Sequence, residues 1–371
     1  MKEKKKKSAV KKIFGTLGVI LLALVLAFGA YAAYVFIDYH RIDDNQTLTV
    51  RSGADGSQTI RTGETYSAVT YNIGFAAYTP DFSFFMDGGT QSRANSEQSV
   101  NETMRGICGI LKDEDADFYL IEEVDEDATR SHHVNERVIL EDALADYDSV
   151  YAINYDSPYL FYPFLSPHGK SLAGMLTASR FSMTGSVRRS LPVEESVMKI
   201  VDLDRCYSVT RFPVEGGHEF VLYTAHLSAY TSDGSIADEQ LRMLTRDMQA
   251  EYEKGNYVVC GGDFNKDLLG DSSAYFGVSG GENTWAQPID PRILDEAGIE
   301  LAAPLDEADP VPSCRNADAP YHDGQFVLVV DGFLVSKNVR ADACRVIDTG
   351  FAYSDHNPVR LEFTLLENEE M

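Results

Sequence analysis

Residues Tyr257 to Asn265 read YVVCGGDFN. The apolar, β-branched opening has the composition of a buried strand, and the two glycines let the backbone turn tightly at its end. Asp263 and Asn265, two positions apart, then face the same side. The same pattern, an apolar strand with polar residues at its end, recurs in SAVTYNI (67–73), DFYLIEEV (117–124), EFVLYTAHL (219–227) and FVLVVDGFLVS (326–336), and VRLEFTLL (359–366) reads as a further strand. Helical candidates lie between several runs, over 94–112 and over 237–255, where Leu241, Leu244, Met248 and Tyr252 share a face and Lys254-Gly255 reads as the C-terminal end. Strands interleaved with helices predict an α/β or mixed layered domain. Asn72, Glu123, His226, Asp263 and Asn265 stand at strand ends and Asp331 inside a strand, where layered folds place their sites.

The 371 residues suffice for one large domain or two small ones, and 44% hydrophobic with 11% aromatic content is globular. Seven lysines and one glutamate in residues 1–12 give +6, leaving the rest at −32 against a chain total of −26. So acidic a body repels polyanions at long range. That argues against a sequence-independent nucleic-acid coater but not against a nuclease whose metal supplies local positive charge.

The start, MKEKKKKSAVKKIFGTLGVILLALVLAFGAYAAYVFIDYH, carries no charge from Ile13 to Ile37, enough to cross a bilayer core. Residues 1–12 are expected as a basic cytoplasmic tail, 13–37 as a single-pass transmembrane anchor and 38–65 as a stalk with an opening strand. Residues 66–371 are the expected folded domain, placed outside the cytoplasm by the lysines before the span. The competing reading is a cleaved signal peptide, but the apolar run exceeds the usual core of about 7–15 residues. Cys108, Cys206, Cys260, Cys314 and Cys344 lack CxxC spacing, and an odd count argues against a full disulfide framework. Cys260 reads as a small buried residue, and pairing of Cys314 with Cys344 stays open.

A carboxylate such as Asp263 can activate water, and an amide such as Asn265 can donate to a phosphate oxygen without adding charge; the alternative is an Asx-turn capping the strand. Glu123 could bind a hard cation such as Mg2+, or be a solvated strand end, with Glu122 pointing the other way. His226 and Asn72 read equally well as structural residues. Further on, YSDHNPV (353–359) sets Asp355 beside His356, and both serve one site only if the backbone bends, as Asn357-Pro358 favours.

In order, TYNIG, LIEEVD, TAHLS, GGDFN, VDGFLVS and YSDHNPV resemble the endonuclease/exonuclease/phosphatase superfamily, the DNase I-like metal-dependent phosphoesterases, over roughly residues 66–366. GMLTASRFSM (174–183) is similar to that family's strand between the acidic and histidine motifs, with Arg180 in its basic position. The resemblance implies an α+β fold, a four-layer α/β/β/α sandwich, with Mg2+ or Mn2+ at its rim. It implies Glu123 as the principal metal ligand with Asn72 and Asp355 nearby, and Asp263 orienting or deprotonating the attacking water. Asn265, Asn72 and His226 are implied to hold the phosphate. His356 is implied to contact the phosphate or act as base, with Asp331 holding its ring.

The chain departs from the family in having Glu122 where glutamine is common, which adds negative charge if it faces the site. Segments 74–98 and 127–136 leave motif strands, making Arg130, His132 and His133 candidate substrate-loop residues, as are Lys170 in SPHGKS and Arg180; the apolar SPYLFYPFLSP (157–167) touches lipid or fills a core. The expected function is a monomeric, membrane-tethered phosphoesterase acting on a small or lipid-borne monoester or diester. The alternative is an extracellular nuclease of the same mechanism, and a third reading is a binding module without catalysis.

Overall fold

Alternation of side chains along the expected strands gives two β-sheets whose inner faces pack together. The computed structural model describes residues 2–56, 58–194, 203–229, 235–279, 285–306 and 310–367, with side chains described from Lys11 onward. The lysines of the expected tail up to residue 7 and the end of the expected domain from residue 368 lie outside the described side chains.

The chain separates into two units, Met1–Arg41 and Ile42–Met371. The first is helix α1 (Lys2–Asp38), whose Lys11–Asp38 portion is long and apolar enough to cross a membrane, with a mean hydropathy of 2.5 over an 18-residue stretch. Its 28 residues extend about 42 Å at 1.5 Å per residue, more than a bilayer core of about 30 Å.

In the second unit the strands are β1 (Gln46–Thr47), β2 (Thr65–Asn72), β3 (Phe118–Ala128), β4 (Asp148–Asp156), β5 (Ser171–Ser179), β6 (Gly185–Ser190), β7 (Cys206–Pro213), β8 (Glu219–His226), β9 (Tyr257–Asp263), β10 (Ile299–Ala302), β11 (Cys314–Arg315), β12 (Val327–Leu328), β13 (Asp331–Ser336), β14 (Val339–Val346) and β15 (Val359–Leu365). Helices α2 (Glu97–Glu114), α3 (Glu136–Ala143), α4 (Ser235–Tyr252), α5 (Ser272–Phe276) and α6 (Pro291–Ala297) accompany them. One sheet has the order β14-β15-β2-β3-β5-β4, the other β1-β6-β7-β8-β9-β13-β10, and β11-β12 form a ribbon.

Along β3, Phe118 and Leu120 face inward among Phe212, Phe220, Val259, Phe333 and Phe363. The alternating Tyr119 and Ile121 face outward onto Met104, Ile107 and Leu111 of α2. On the far side Leu241, Leu244 and Met248 of α4 cover Val221, Tyr223 and Val258. The layers therefore run helix, sheet, sheet, helix, the sandwich expected from the motif order. Phe118 lies 5.2–6.2 Å from the rings of Phe181, Phe212, Phe220 and Phe363, and burying such a side chain contributes roughly 1.5–3 kcal/mol.

From Ile42 onward the expected stalk is part of the folded unit. β1 pairs with β6, Arg51 bridges to Ser149, and the buried Ile60 bridges to Val214. Leu48 and Val50 pack against the intersheet core. Isolated apolar residues in a polar segment carry too little periodicity to reveal this from sequence.

Register then sets the site. Parallel pairing places Asn72 opposite Glu122 and His226 opposite Asp263, and antiparallel pairing places Asp331 opposite Asp263. The C-terminal ends of β2, β8 and β9 and the start of β13 thus share one rim.

Candidate active site

Asp263 stands at the centre of that rim, 2% exposed, with its Oδ2 3.1 Å from Asn72 Nδ2, 3.5 Å from His226 Nε2 and 3.9 Å from His356 Nε2. Its Oδ1 accepts the Asn265 N–H at 2.9 Å. Gly262 allows this placement, because a Cβ there would sit 1.8 Å from the Ala225 carbonyl oxygen. Burial, then the charge of Asp331, pushes the Asp263 pKa well above the usual aspartate range, against the pull of His356, the Asn265 N–H and Asn72.

The bend sought in YSDHNPV is present just before β15. Ser354 Oγ donates to the Asn72 carbonyl at 2.8 Å and accepts the His356 N–H at 3.1 Å, while Asn357 Oδ1 accepts from the Thr349 N–H and hydroxyl. His356 Nδ1 lies 2.8 Å from Asp331 Oδ2, which also accepts the Ser313 hydroxyl at 2.7 Å. Although burial opposes the charged form, the Asp331 carboxylate holds the His356 pKa well above that of an ordinary histidine. His226 shifts the other way: burial, reinforced by the charges of Arg205, His356 and Arg130, keeps it neutral.

The register of β3 against β5 slips between Ile121 and Val124, and Glu123 takes a positive φ of 55°. This irregularity breaks the simple alternation. Glu122 is fully buried, its Oε1 accepting the Thr70 hydroxyl at 3.0 Å, whereas Glu123 is half-buried with Oε1 3.5 Å from Asn72 Nδ2. Burial, then the charges of Asp331 and Asp263, raises the Glu122 pKa well above the glutamate range.

Among the described residues, buried polar atoms here without a hydrogen-bond partner include Glu122 Oε2, Asp331 Oδ1 and His226 Nδ1. Such orphans mark places where an ion, water or substrate completes the bonding. Two groupings could hold a cation. Ligand atoms of Asp263, Asp331 and His356 lie within 4.8 Å of one another, but Asp331 is already bonded to the His356 ring. Glu123 and Asp355, half-buried beside Asn72, offer only oxygens, and among the described residues neither carboxylate has an ion-pair partner. Burial and the charge of Glu123 raise the Asp355 pKa, opposed by His356 and Arg315. Two carboxylates that offer only oxygens fit a hard divalent cation better than the His-containing trio does.

The remaining candidates fall outside this constellation or support it from behind. Asn265 Oδ1 accepts the Trp285 indole N–H at 2.8 Å and its Nδ2 donates to the Leu227 carbonyl at 2.9 Å, which orients the amide. Arg130 is buried, bound to Asp125 at 2.8 Å and 4.0 Å above the Phe75 ring, and His132 Nε2 lies 2.8 Å from the Ala94 carbonyl, so both tie the two loops together. Exposed His133 pairs with Asp127, and exposed Lys170 lies 4.0 Å from Asp156. Arg180 is a correction: it pairs with Asp115 and Tyr147, next to Ser179, which faces Phe118 across β5 and β3. Five residues of strand separate that end from Glu123, roughly 16 Å at about 3.3 Å per residue, so Arg180 is no part of the site. All five cysteines are free, Cys314 and Cys344 included. Cys314 instead lies 3.5 Å from His356 Nε2. Trp285, Ser313 and Cys314 stand in no motif, and sequence reasoning missed all three.

The sequence model described as the Endonuclease/Exonuclease/phosphatase family matches residues 69–356. The comparison with curated proteins finds no match. Among solved structures, the chain is similar to an endonuclease/exonuclease/phosphatase from Beutenbergia cavernae, at 18% identity over 81% of this chain and 72% of that one, with a TM-score of 0.56. It is also similar to ANGEL2, a 2′,3′-cyclic phosphatase, at 16% identity over 86% and 98% of the two chains, with a TM-score of 0.54. The human Nocturnin catalytic domain matches at 13% identity over 85% and 96%, with a TM-score of 0.52. At such identities the likeness is one of fold.

Proposed function

Because the chain belongs to the endonuclease/exonuclease/phosphatase family, whose members are hydrolases acting on phosphate esters, we propose that it is a divalent-metal-dependent phosphoesterase using activated water. The observation that carries this reading is Asp263, a buried carboxylate of raised pKa held by Asn72 beside two histidines at one rim. Asp263 orients the water and takes its proton as the water oxygen bonds to phosphorus and the ester oxygen departs. Charged His356, oriented by Asp331, donates through Nε2 to a phosphoryl oxygen, and neutral His226 and the Asn265 amide are further donors. Glu123, Asp355 and the side-chain oxygen of Asn72 would hold Mg2+ or Mn2+. Bound there, the cation supplies Lewis-acid stabilisation of the phosphoryl oxygens.

Charge and topology narrow the substrate. A body of −32 disfavours long polyanions, and a helix of membrane-spanning length accompanies it, so the reading is a monomer at the outer face of a membrane acting on a small or lipid-borne phosphate. The test is the full chain in mild detergent, given a chromogenic phosphodiester and monoester with Mg2+, Mn2+ or chelator. Metal-dependent turnover that disappears in Asp263→Ala and His356→Ala is expected; no turnover of either ester with either metal would sink the proposal. Nicking of supercoiled plasmid would move it to an extracellular nuclease, and absence of Mg2+ binding by calorimetry to a non-catalytic module.

A further inference from the structure

SPYLFYPFLSP admits a lipid-facing or a core reading by composition, and its burial separates them. Tyr162 is 62% exposed, Phe164 78% and Leu165 101%, and Met86 on the adjoining loop is 57% exposed. Single exposed apolar residues are ordinary, whereas several large ones at one turn mark an interaction surface. The turn is well braced. Leu160 and Gly169 exchange backbone hydrogen bonds at 2.9 and 3.0 Å, and the His168 and Ser166 N–H groups donate to the carbonyls of Tyr162 and Pro163. Beneath it, the Phe85 ring lies 5.7 Å from Tyr162 and 6.3 Å from His168.

Its charge pattern complements a bilayer surface. From Ser157 to Gly169 there is no Asp, Glu, Lys or Arg in a chain of net charge −26. Burial and the nearby Arg130 charge keep His168 neutral, its pKa lowered to about 3. Cations stand at the base: Arg93 donates to Ser166 Oγ at 3.0 Å, and exposed Lys170 lies 4.0 Å from Asp156. An uncharged aromatic tip above basic residues lets the rings sit at the acyl boundary while the cations meet headgroup phosphates.

We propose that the turn 160–166, with Met86, is a membrane-docking surface that inserts into the headgroup–acyl boundary of a lipid bilayer. A run of rings links it to the rim: Phe85 lies 4.9 Å from Phe84, Phe84 lies 6.5 Å from Phe75, and a Cβ on the adjacent Gly74 would come within 3.1 Å of Asp355 Oδ1. Docking therefore brings the candidate active site to the lipid surface and, resting on the phosphoesterase reading, selects a lipid-borne phosphate ester.

The experiment is the full chain carrying Leu165→Trp, reconstituted into phosphatidylcholine vesicles with brominated acyl chains. A side chain so exposed tolerates the substitution without refolding its surroundings, and the unsubstituted protein supplies the Trp285 background. The added emission is expected to fall about twofold or more with brominated lipid and to be shielded from aqueous iodide. Emission that iodide quenches and brominated lipid does not would overturn the proposal. Shielding from both quenchers would also overturn it, since a second copy or another protein would then cover the turn. Because the readout needs no turnover, an inactive but lipid-quenched protein retires only the phosphoesterase reading, and an active but unquenched one retires only the docking.

Discussion

A buried carboxylate is costly unless neighbours accept its charge, and the acids at this rim meet that cost differently. For Glu122, burial and two negative neighbours raise the pKa against one hydroxyl donor. Asp263 has Asn72, the Asn265 N–H and two imidazoles, which suits it to exchange one. Asp263→Asn is therefore expected to lower turnover by on the order of 10²–10⁴-fold with an unchanged circular dichroism spectrum. Trp285→Phe removes the only indole, which donates to Asn265 Oδ1. A lost hydrogen bond of about 1 kcal/mol predicts roughly fivefold slower turnover, and steady-state kinetics with the thermal midpoint shows whether the loss is in the site or the fold.

At the scale of elements, the rim depends on Gly262 of β9 having no side chain to meet the Ala225 carbonyl of β8. Gly262→Ala places a methyl against the Ala225 carbonyl, and a loss of stability of at least about 3 kcal/mol, or failure to fold, is expected in urea denaturation. The end of α4 is fastened to the second sheet by Glu251, which accepts from Arg211, Lys254 and Asn256. Burial alone would raise the Glu251 pKa, but these three hold it at about 2, below its ordinary value of 4.5. A folded pKa below the unfolded one stabilises above the unfolded value and is lost as pH falls toward the folded value. Glu251→Gln should thus cost about 1–3 kcal/mol at pH 7 and progressively less from pH 4.5 to pH 2, measured as denaturation midpoints across that range.

For the whole molecule, the boundary at Ile42 has a direct consequence. A chain beginning at residue 42 keeps β1 on β6 and keeps Leu48, Val50 and Ile60 in or against the core. It is expected to unfold at the same denaturant midpoint as the full chain in detergent. A chain beginning at residue 66 loses those side chains, each worth roughly 1.5–3 kcal/mol when fully buried, and is expected to be several kcal/mol less stable. Equal midpoints for the two truncations would mean that 42–65 is a free stalk after all.

Strand composition, helical period, the order of the motifs and the length of the apolar N-terminal run were legible in the sequence because each is a local property. Tyr257 to Asp263 reads as a buried strand whatever surrounds it, and Leu241, Leu244 and Met248 share a helix face by spacing alone. The pairing of His356 with Asp331 could be expected but not measured from sequence; its 2.8 Å separation depends on β13 and the loop before β15 meeting across the fold. Tertiary structure alone decided which of two adjacent glutamates is buried, because an irregularity in β3 overrides alternation. It also moved Arg180 to the far end of β5, brought Trp285 to Asn265, drew Ile60 into the core with Leu48 and Val50 against it, and left the turn 160–166 outside. Each of these turns on contacts between residues far apart in the chain, and no local pattern of size, charge or period encodes them.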